Sequence, residues 1–339
     1  MSSIHRYYRN LYISPARRAI RALLLLILLL LVSVGIAFGI LRFSASSFYR
    51  KAVREIEIPG FEAGLVPQGL TYLPEEDLYL ISGYRSEDGV ALLAYTAPDG
   101  TRQGLIPLTG EDGMPLVLHS GGIAAGEERL YIAGCDGYCY VLAYSDFPPE
   151  GDGVLSVTGR FPAGNRADFC FFSDGHLYIG EFYHPIKFPT DEAHHTDTPA
   201  GERHYALMLA YPADAVAVYG IRTEADAAYS IPGRIQGGCR EGDTIVLSSS
   251  SFLERTYLAF FSLAAAEETA GEYRDGERIL PLYHLDSQSR KSTLTLPPMS
   301  EGVCIRNGRI TVVFESAAGR FLSFGRLFGG EYLWSLPVE

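Results

Sequence analysis

Five stretches of this 339-residue chain place a polar residue at the head of a short apolar run: Gln68, Ser120, Asp168, Gln236 and Glu301. Together they offer two carboxylates, two amide carbonyls and a hydroxyl. Oxygen donors of that kind suit a hard divalent cation, calcium before magnesium, and not zinc, which takes His and Cys. The heads recur 48 to 68 residues apart, so they make one site only if the fold gathers them. A polar, water-filled channel is the other reading of the same five residues.

A second set of polar residues ends the run that follows each head. These ends read Ser82-Gly83-Tyr84-Arg85, Cys135-Asp136, Glu181-Phe182-Tyr183-His184, four serines at 248–251, and Glu315-Ser316. Glu181, Glu315 and His184 have the chemistry for acid–base work. Tyr84, Arg85, Asp136 and His119, the neighbour of Ser120, are the candidate binding residues. Polarity at strand ends on a solvated face is the alternative for all of them. Residues 182–204 hold four of the eight His, namely His184, His194, His195 and His204. Their spacing matches no helical ligand pattern, and a solvated loop is the expected reading. No nucleophile elbow, Walker loop or zincin motif stands in a usable context.

The elements that must position these residues are hairpins. Ser300-Glu301-Gly302-Val303-Cys304-Ile305 turns at Asn307-Gly308 into Ile310-Thr311-Val312-Val313-Phe314, a strong hairpin signal. The same grammar runs from Gln68, Ser120, Asp168 and Gln236, with 9 or 10 residues from head to second strand. A third strand follows in four copies, as Leu93-Ala94-Tyr95, Leu142-Ala143-Tyr144, Leu209-Ala210-Tyr211 and Leu258-Ala259-Phe260. A more polar fourth run comes next. Four antiparallel strands repeated five times predict a five-bladed β-propeller. The lone strand at 54–59 then serves as the outer strand of the last blade and closes the ring. Two blades carry insertions, at 182–204 and at 264–278; the latter is Ala/Glu-rich and expected as a short helical or irregular excursion.

The form Gln/Glu-Gly-apolar, in Pro67-Gln68-Gly69-Leu70 and Ser300-Glu301-Gly302-Val303, resembles the inner-strand motif of calcium-dependent lactonase, phosphotriesterase and nucleotidase propellers and of NHL- and YncE-like proteins. The resemblance implies a calcium ion at one end of the channel, held by Glu301, Asp168, Gln68 and Gln236. This chain departs from those hydrolases in using Gln twice where they use acids and Asn.

The N-terminal segment is of another kind. Residues 1–21 are basic and carry no acid. Residues 22–41 are uncharged and Leu-rich, long enough at 1.5 Å per residue to cross a bilayer core of about 30 Å. A cleaved signal peptide would have a shorter apolar run and a small-residue cleavage site, so an uncleaved single-pass anchor is expected. The positive-inside bias points residues 1–21 to the cytoplasm. Residues 42–53 then read as a linker and 54–339 as the propeller domain, outside the membrane. Residues 1–54 hold 9 of the 28 Lys and Arg and none of the 40 Asp and Glu, which leaves the remainder at −21. That charge argues against nucleic acid as a partner and leaves the lipid bilayer, reached through the helix, and a small molecule or envelope protein. Five Cys cannot all pair; Cys135 and Cys139 flank a turn and are the candidates for a bridge. The expected function is ligand or partner binding at the polar face, with a calcium-dependent hydrolase of lactones, esters or phosphoanhydrides as the alternative.

Overall fold

The computed structural model describes residues 15–147, 153–252 and 254–338. It divides into two units, Met1–Ser46 and Ser47–Glu339.

The first unit is one helix, α1 (Pro15–Ser44), with no acid in its first turn and Arg42 in its last. Its most apolar eighteen-residue stretch has a mean hydropathy of 3.1, and none of that stretch is covered by protein. It is long and apolar enough to cross a membrane or to serve as a signal helix. It runs beyond the expected 22–41 at both ends, because Ala and Arg before residue 22 and Arg42-Phe43 after it continue a helix as readily as Leu does. The first fourteen residues of the expected cytoplasmic tail lie outside the described residues.

The second unit opens with a six-residue helix, α2 (Ser46–Lys51), where a linker is expected. Phe48 of this helix is fully buried against Phe314 and Trp334. The segment is therefore part of the folded unit, held by an aromatic anchor that a linker would lack.

The rest is β-structure. After β1 (Val53–Glu57) come β2 (Leu65–Leu73), β3 (Leu78–Arg85), β4 (Ala91–Thr96) and β5 (Gln103–Thr109), then β6 (Gly122–Ala125), β7 (Arg129–Ala133), β8 (Tyr138–Ala143) and β9 (Leu155–Pro162). These are followed by β10 (Phe169–Ser173), β11 (His176–Gly180), the short pair β12 (Thr196–Asp197) and β13 (Arg203–His204), β14 (Ala206–Pro212) and β15 (Ala227–Ile231). Next are β16 (Ile235–Glu241), β17 (Thr244–Ser249), β18 (Tyr257–Ser262), α3 (Leu263–Glu268), β19 (Gly271–Asp275), β20 (Arg278–His284) and β21 (Arg290–Thr295). The chain ends with β22 (Ser300–Arg306), β23 (Arg309–Phe314) and β24 (Tyr332–Pro337).

Hydrogen bonding groups these into sheets of eight, six, four, four and two strands. The eight-stranded sheet holds β2 to β9, joined in its middle by a parallel pairing of only Leu108 with Leu155 and Thr109 with Ser156. The six-stranded sheet is β10-β11-β14-β15 extended by the hairpin β20-β19, which pairs in parallel with β15. The Ala/Glu-rich insertion is thus one short helix and a hairpin laid on the neighbouring sheet. β1 pairs antiparallel with β24, so the first strand finishes the last sheet.

The arrangement is propeller-like. β2, β6, β10, β16 and β22 contact one another in sequence, and β22 contacts β2. The apolar clusters repeat the same circuit. Leu78 and Leu80 pack with Leu130 and Ile132; Tyr131 and Ala133 with Leu177 and Ile179; Tyr178 with Ile245 and Leu247. Val246 then packs with Ile310 and Val312, and Val313 returns to Tyr79 and Ile81. Glycine makes the close approach possible. A Cβ on Gly302 would lie 2.3 Å from the Leu70 nitrogen, and one on Gly69 would lie 2.6 Å from the Gly122 Cα. The third copy has Phe169 instead; its ring fills the place where Gly180 lacks a side chain.

Candidate functional site

The five heads stand where these inner strands begin. Antiparallel pairing brings the ends of the second strands to the same end of the unit, since Pro67 opposes Gly83, Phe169 opposes Gly180 and Ser300 opposes Phe314. The register shifts at Pro67/Gly69, Ile235/Gly237 and Ser300/Val303. Each irregularity contains a head residue. A bulge takes its extra residue out of the ladder and re-aims its side chain, which is how Gln68, Gln236 and Glu301 leave the strand pattern.

These three side chains join Glu315 in one network. Gln68 Nε2 donates to Glu315 Oε2 at 2.9 Å and to the Pro67 carbonyl at 2.8 Å. Gln236 Nε2 donates to Glu301 Oε1 at 3.2 Å. The Glu301 carboxyl stands beside that of Glu315, an arrangement that favours a proton shared between them. Glu301 is buried, and burial together with the charge of Glu315 pushes its carboxyl well above the usual range. Burial also raises Glu315, to about 7, against the opposing effects of Gln68, Glu301 and Arg320. Two like groups in contact cannot both ionise cheaply.

An aromatic wall adjoins the pair. His119 Nε2 lies 2.9 Å from Gln68 Oε1, and its ring lies 4.6 Å from that of Tyr84. The Gln68 amide nitrogen is spent on two acceptors, so its oxygen accepts and His119 Nε2 carries the hydrogen. His119 is exposed as a residue, but its ring packs against Tyr84; desolvation there, and then Arg320, lower it to about 4. Arg320 Nη1 donates to the Tyr84 hydroxyl at 2.8 Å.

Asp168 takes part in a different cluster. Its Oδ2 accepts from the Phe182 backbone at 2.7 Å and from Arg166 Nε at 3.2 Å. Burial raises its carboxyl in spite of Arg166. Glu181 is fully buried beside it and accepts from His194 Nδ1 at 2.9 Å and the Leu207 backbone at 3.0 Å. Ser120 Oγ is buried with no hydrogen-bond partner among the described residues.

The expected sites are therefore partly regrouped. Gln68, Gln236, Glu301, Glu315, His119 and Tyr84 come together; Asp168 and Glu181 come together elsewhere. His184 does not meet Glu181. Its Nδ1 accepts from Ile186 and Lys187 and caps its own turn. Arg85 pairs with Asp88 at 3.0 Å, and Asp136 with Tyr140 at 2.7 Å. The His-bearing loop is not uniformly solvated, because His194 and His204 are buried. All five Cys are free thiols. Among the described residues no three of His, Cys, Asp and Glu gather as a metal cage. Of the donors counted for calcium, Gln68 donates to Glu315, Gln236 donates to Glu301, Asp168 accepts from Arg166 and the Phe182 backbone, and Ser120 Oγ has no partner among the described residues.

Arg320, which bonds Tyr84, had no signal in the sequence beyond its place in an irregular segment, whereas His194 belongs to the His-bearing insertion at 182–204. The pairing of Glu315 with Glu301 did carry a signal, since adjacent antiparallel strands such as β22 and β23 must bring the head of one beside the end of the other.

No family model and no curated protein matches this chain. Among solved structures it is similar to glutaminyl cyclase of Myxococcus xanthus, at 10% identity and a TM-score of 0.43, over 77% of this chain and 90% of that one. It is similar to a nidogen/laminin complex at 11% and 0.38, over 74% and 73%, and to Kuenenia stuttgartiensis hydrazine synthase at 9% and 0.36, over 77% and 57%. Likeness at this level says nothing of activity, and the fold rests on the strand order above.

Proposed function

We propose that this chain is a single-pass membrane protein that displays, outside the membrane, a five-bladed propeller whose mouth binds a ligand through a cationic group. The blade count reads the eight-stranded sheet as two units of four, since only two residue pairs join them. One observation carries the binding site: Gln68 and Gln236 tie Glu315 and buried Glu301 into one network at the head of the inner strands, a pairing that favours a shared proton. A ligand cation can take that proton's place, and the Tyr84–His119 wall offers an aromatic face to it. The net charge of −21 on residues 55–339 favours such a ligand.

The test is a thermal-shift series on the full chain in detergent, with benzylammonium and calcium as probes. Binding in exchange for a proton strengthens as pH rises from 5.5 to 8. A benzylammonium-dependent rise in melting temperature that grows with pH and is lost in Glu301→Gln supports the reading. The calcium-dependent hydrolase is favoured by the same carboxyl pair, and a calcium shift with none from benzylammonium would replace the first reading by it. Absence of both shifts contradicts each.

A further inference from the structure

The Glu301–Glu315 network leaves a separate cavity unused. It has a volume of about 510 Å³ and is walled by Cys135, Asn165, Arg166, Glu181, Asp191 and His194. That size is within the range of small-molecule sites.

Its parts are held rigidly. Glu181 Oε1 accepts both the Leu207 N–H and His194 Nδ1, so His194 presents its Nδ1 hydrogen to the carboxylate and keeps Nε2 for the cavity. His194 sits in a single 3₁₀ turn, Glu192–His194, whose start is capped by Asp191 through the Ala193 N–H at 2.9 Å. Opposite, Asp168 engages Arg166 through Nε and Nη2. Cys135 of the wall (φ 57) and Ala167 (φ 53), next to the wall residue Arg166, have left-handed backbones. Their loops clamp each other through Cys135 N to Ala167 O, 2.8 Å, and Gly137 N to Arg166 O, 3.1 Å. Backbone strain held in place beside a cavity is a mark of reactive sites.

We propose that this cavity is a hydrolytic site in which His194, oriented by Glu181, activates water against the carbonyl of a small uncharged ester. Water adds to the acyl carbon as its proton passes to His194 Nε2. The carbon–oxygen bond to the alcohol then breaks, and His194 returns the proton to the departing alkoxide. The products are the carboxylic acid and the alcohol, with no oxidant or cofactor. Arg166 stabilises the oxyanion. Asp136, Glu181 and Asp191 outnumber the one guanidinium at these walls, which Asp168 also engages, so a phosphate ester is a poor substrate. His194 is the general base and Glu181 a positioning residue.

The experiment measures p-nitrophenyl acetate hydrolysis by the full chain in detergent. Burial alone would lower His194, but the hydrogen bond and charge of Glu181 outweigh it and hold the ring above its ordinary value. The rate should therefore rise with pH through an inflection above about 6.5. His194→Asn keeps an N–H donor for Glu181 and lacks Nε2; it should lose at least about tenfold, general bases being worth about a hundredfold or more. Glu181→Gln should move the inflection down. His176→Asn, at the opposite end of β11, should leave the rate unchanged, and p-nitrophenyl phosphate should not be turned over. The proposal is overturned by a folded His194→Asn that keeps the wild-type rate, by equal loss in His176→Asn, by equal turnover of the phosphate, or by no hydrolysis above buffer. Should His194→Asn fail to fold, a wild-type rate with no inflection between pH 6 and 8 overturns it.

Discussion

Glu315 and His119 titrate in opposite senses within one network. Glu315 is raised to about 7, so the folded chain binds its proton more tightly than the unfolded chain does. That stabilisation is complete below the ordinary carboxylate value and is lost as pH rises through 7. His119 is lowered to about 4, so its contribution is complete above about 6.5 and is lost as pH falls through 4. The windows overlap, and the two slopes offset each other. Glu315→Gln, which imitates the protonated acid, should leave stability near pH 4.5 unchanged and raise it at pH 8 by about 1–3 kcal/mol, allowing for solvent screening of a half-buried group. Chemical denaturation across pH 4.5 to 8 checks this; equal stability of variant and wild type at pH 8 would remove the raised carboxyl. His119→Asn should unmask the slope of Glu315, seen as a steeper loss of stability from pH 5 to 7 than in the wild type.

At the scale of elements, the inner strands touch backbone to backbone. Gly302→Ala places a methyl 2.3 Å from the Leu70 nitrogen and should cost about 3 kcal/mol or more, since the obstacle is main chain and cannot rotate away. A loss under about 1 kcal/mol would mean that the strands sit farther apart. Phe48→Ala should cost about 3–5 kcal/mol, because it empties a site enclosed by Phe314 and Trp334. Much of this level was legible in the sequence. The Asn307-Gly308 turn has both residues at positive φ, 51° and 68°, as its type requires. The closing role of 54–59 follows from a strand with no local partner. Other parts were not legible. Phe48 and Tyr49 read as two aromatics in a polar segment, and only the packing of β24 shows what encloses Phe48. The insertion after α3 pairs with β15 across sheets, and no local pattern encodes a parallel pairing of that kind. The bulges at Gln68, Gln236 and Glu301 were equally hidden, because a one-residue slip within so short a run of apolar residues leaves no mark on their spacing.

For the molecule as a whole, charge and hydropathy are the strongest signals. A helix of this hydropathy holds a protein in membranes through alkaline carbonate washing. The chain should remain in the pellet with residues 16–44 present, and a soluble mature form lacking them would show that the helix is a signal sequence instead. The heads of the repeat predicted a common mouth; the inner strands that carry them contact one another in a circuit. The repeat did not predict that Gln68, Gln236 and Glu301 would join a Glu–Glu network, Asp168 a cluster with Glu181, and Ser120 neither. That division depends on side-chain partners from loops, Arg320 and His194, which follow no repeat. What is proposed for the mouth depends above all on the proton shared by Glu301 and Glu315. Carbon-13 titration of the glutamate side-chain carboxyls, assigned with Glu301→Gln and Glu315→Gln, measures it. One carboxyl should titrate near 7 and its partner well above the ordinary range; two carboxyls titrating independently at the ordinary value of about 4.3 would contradict the shared proton.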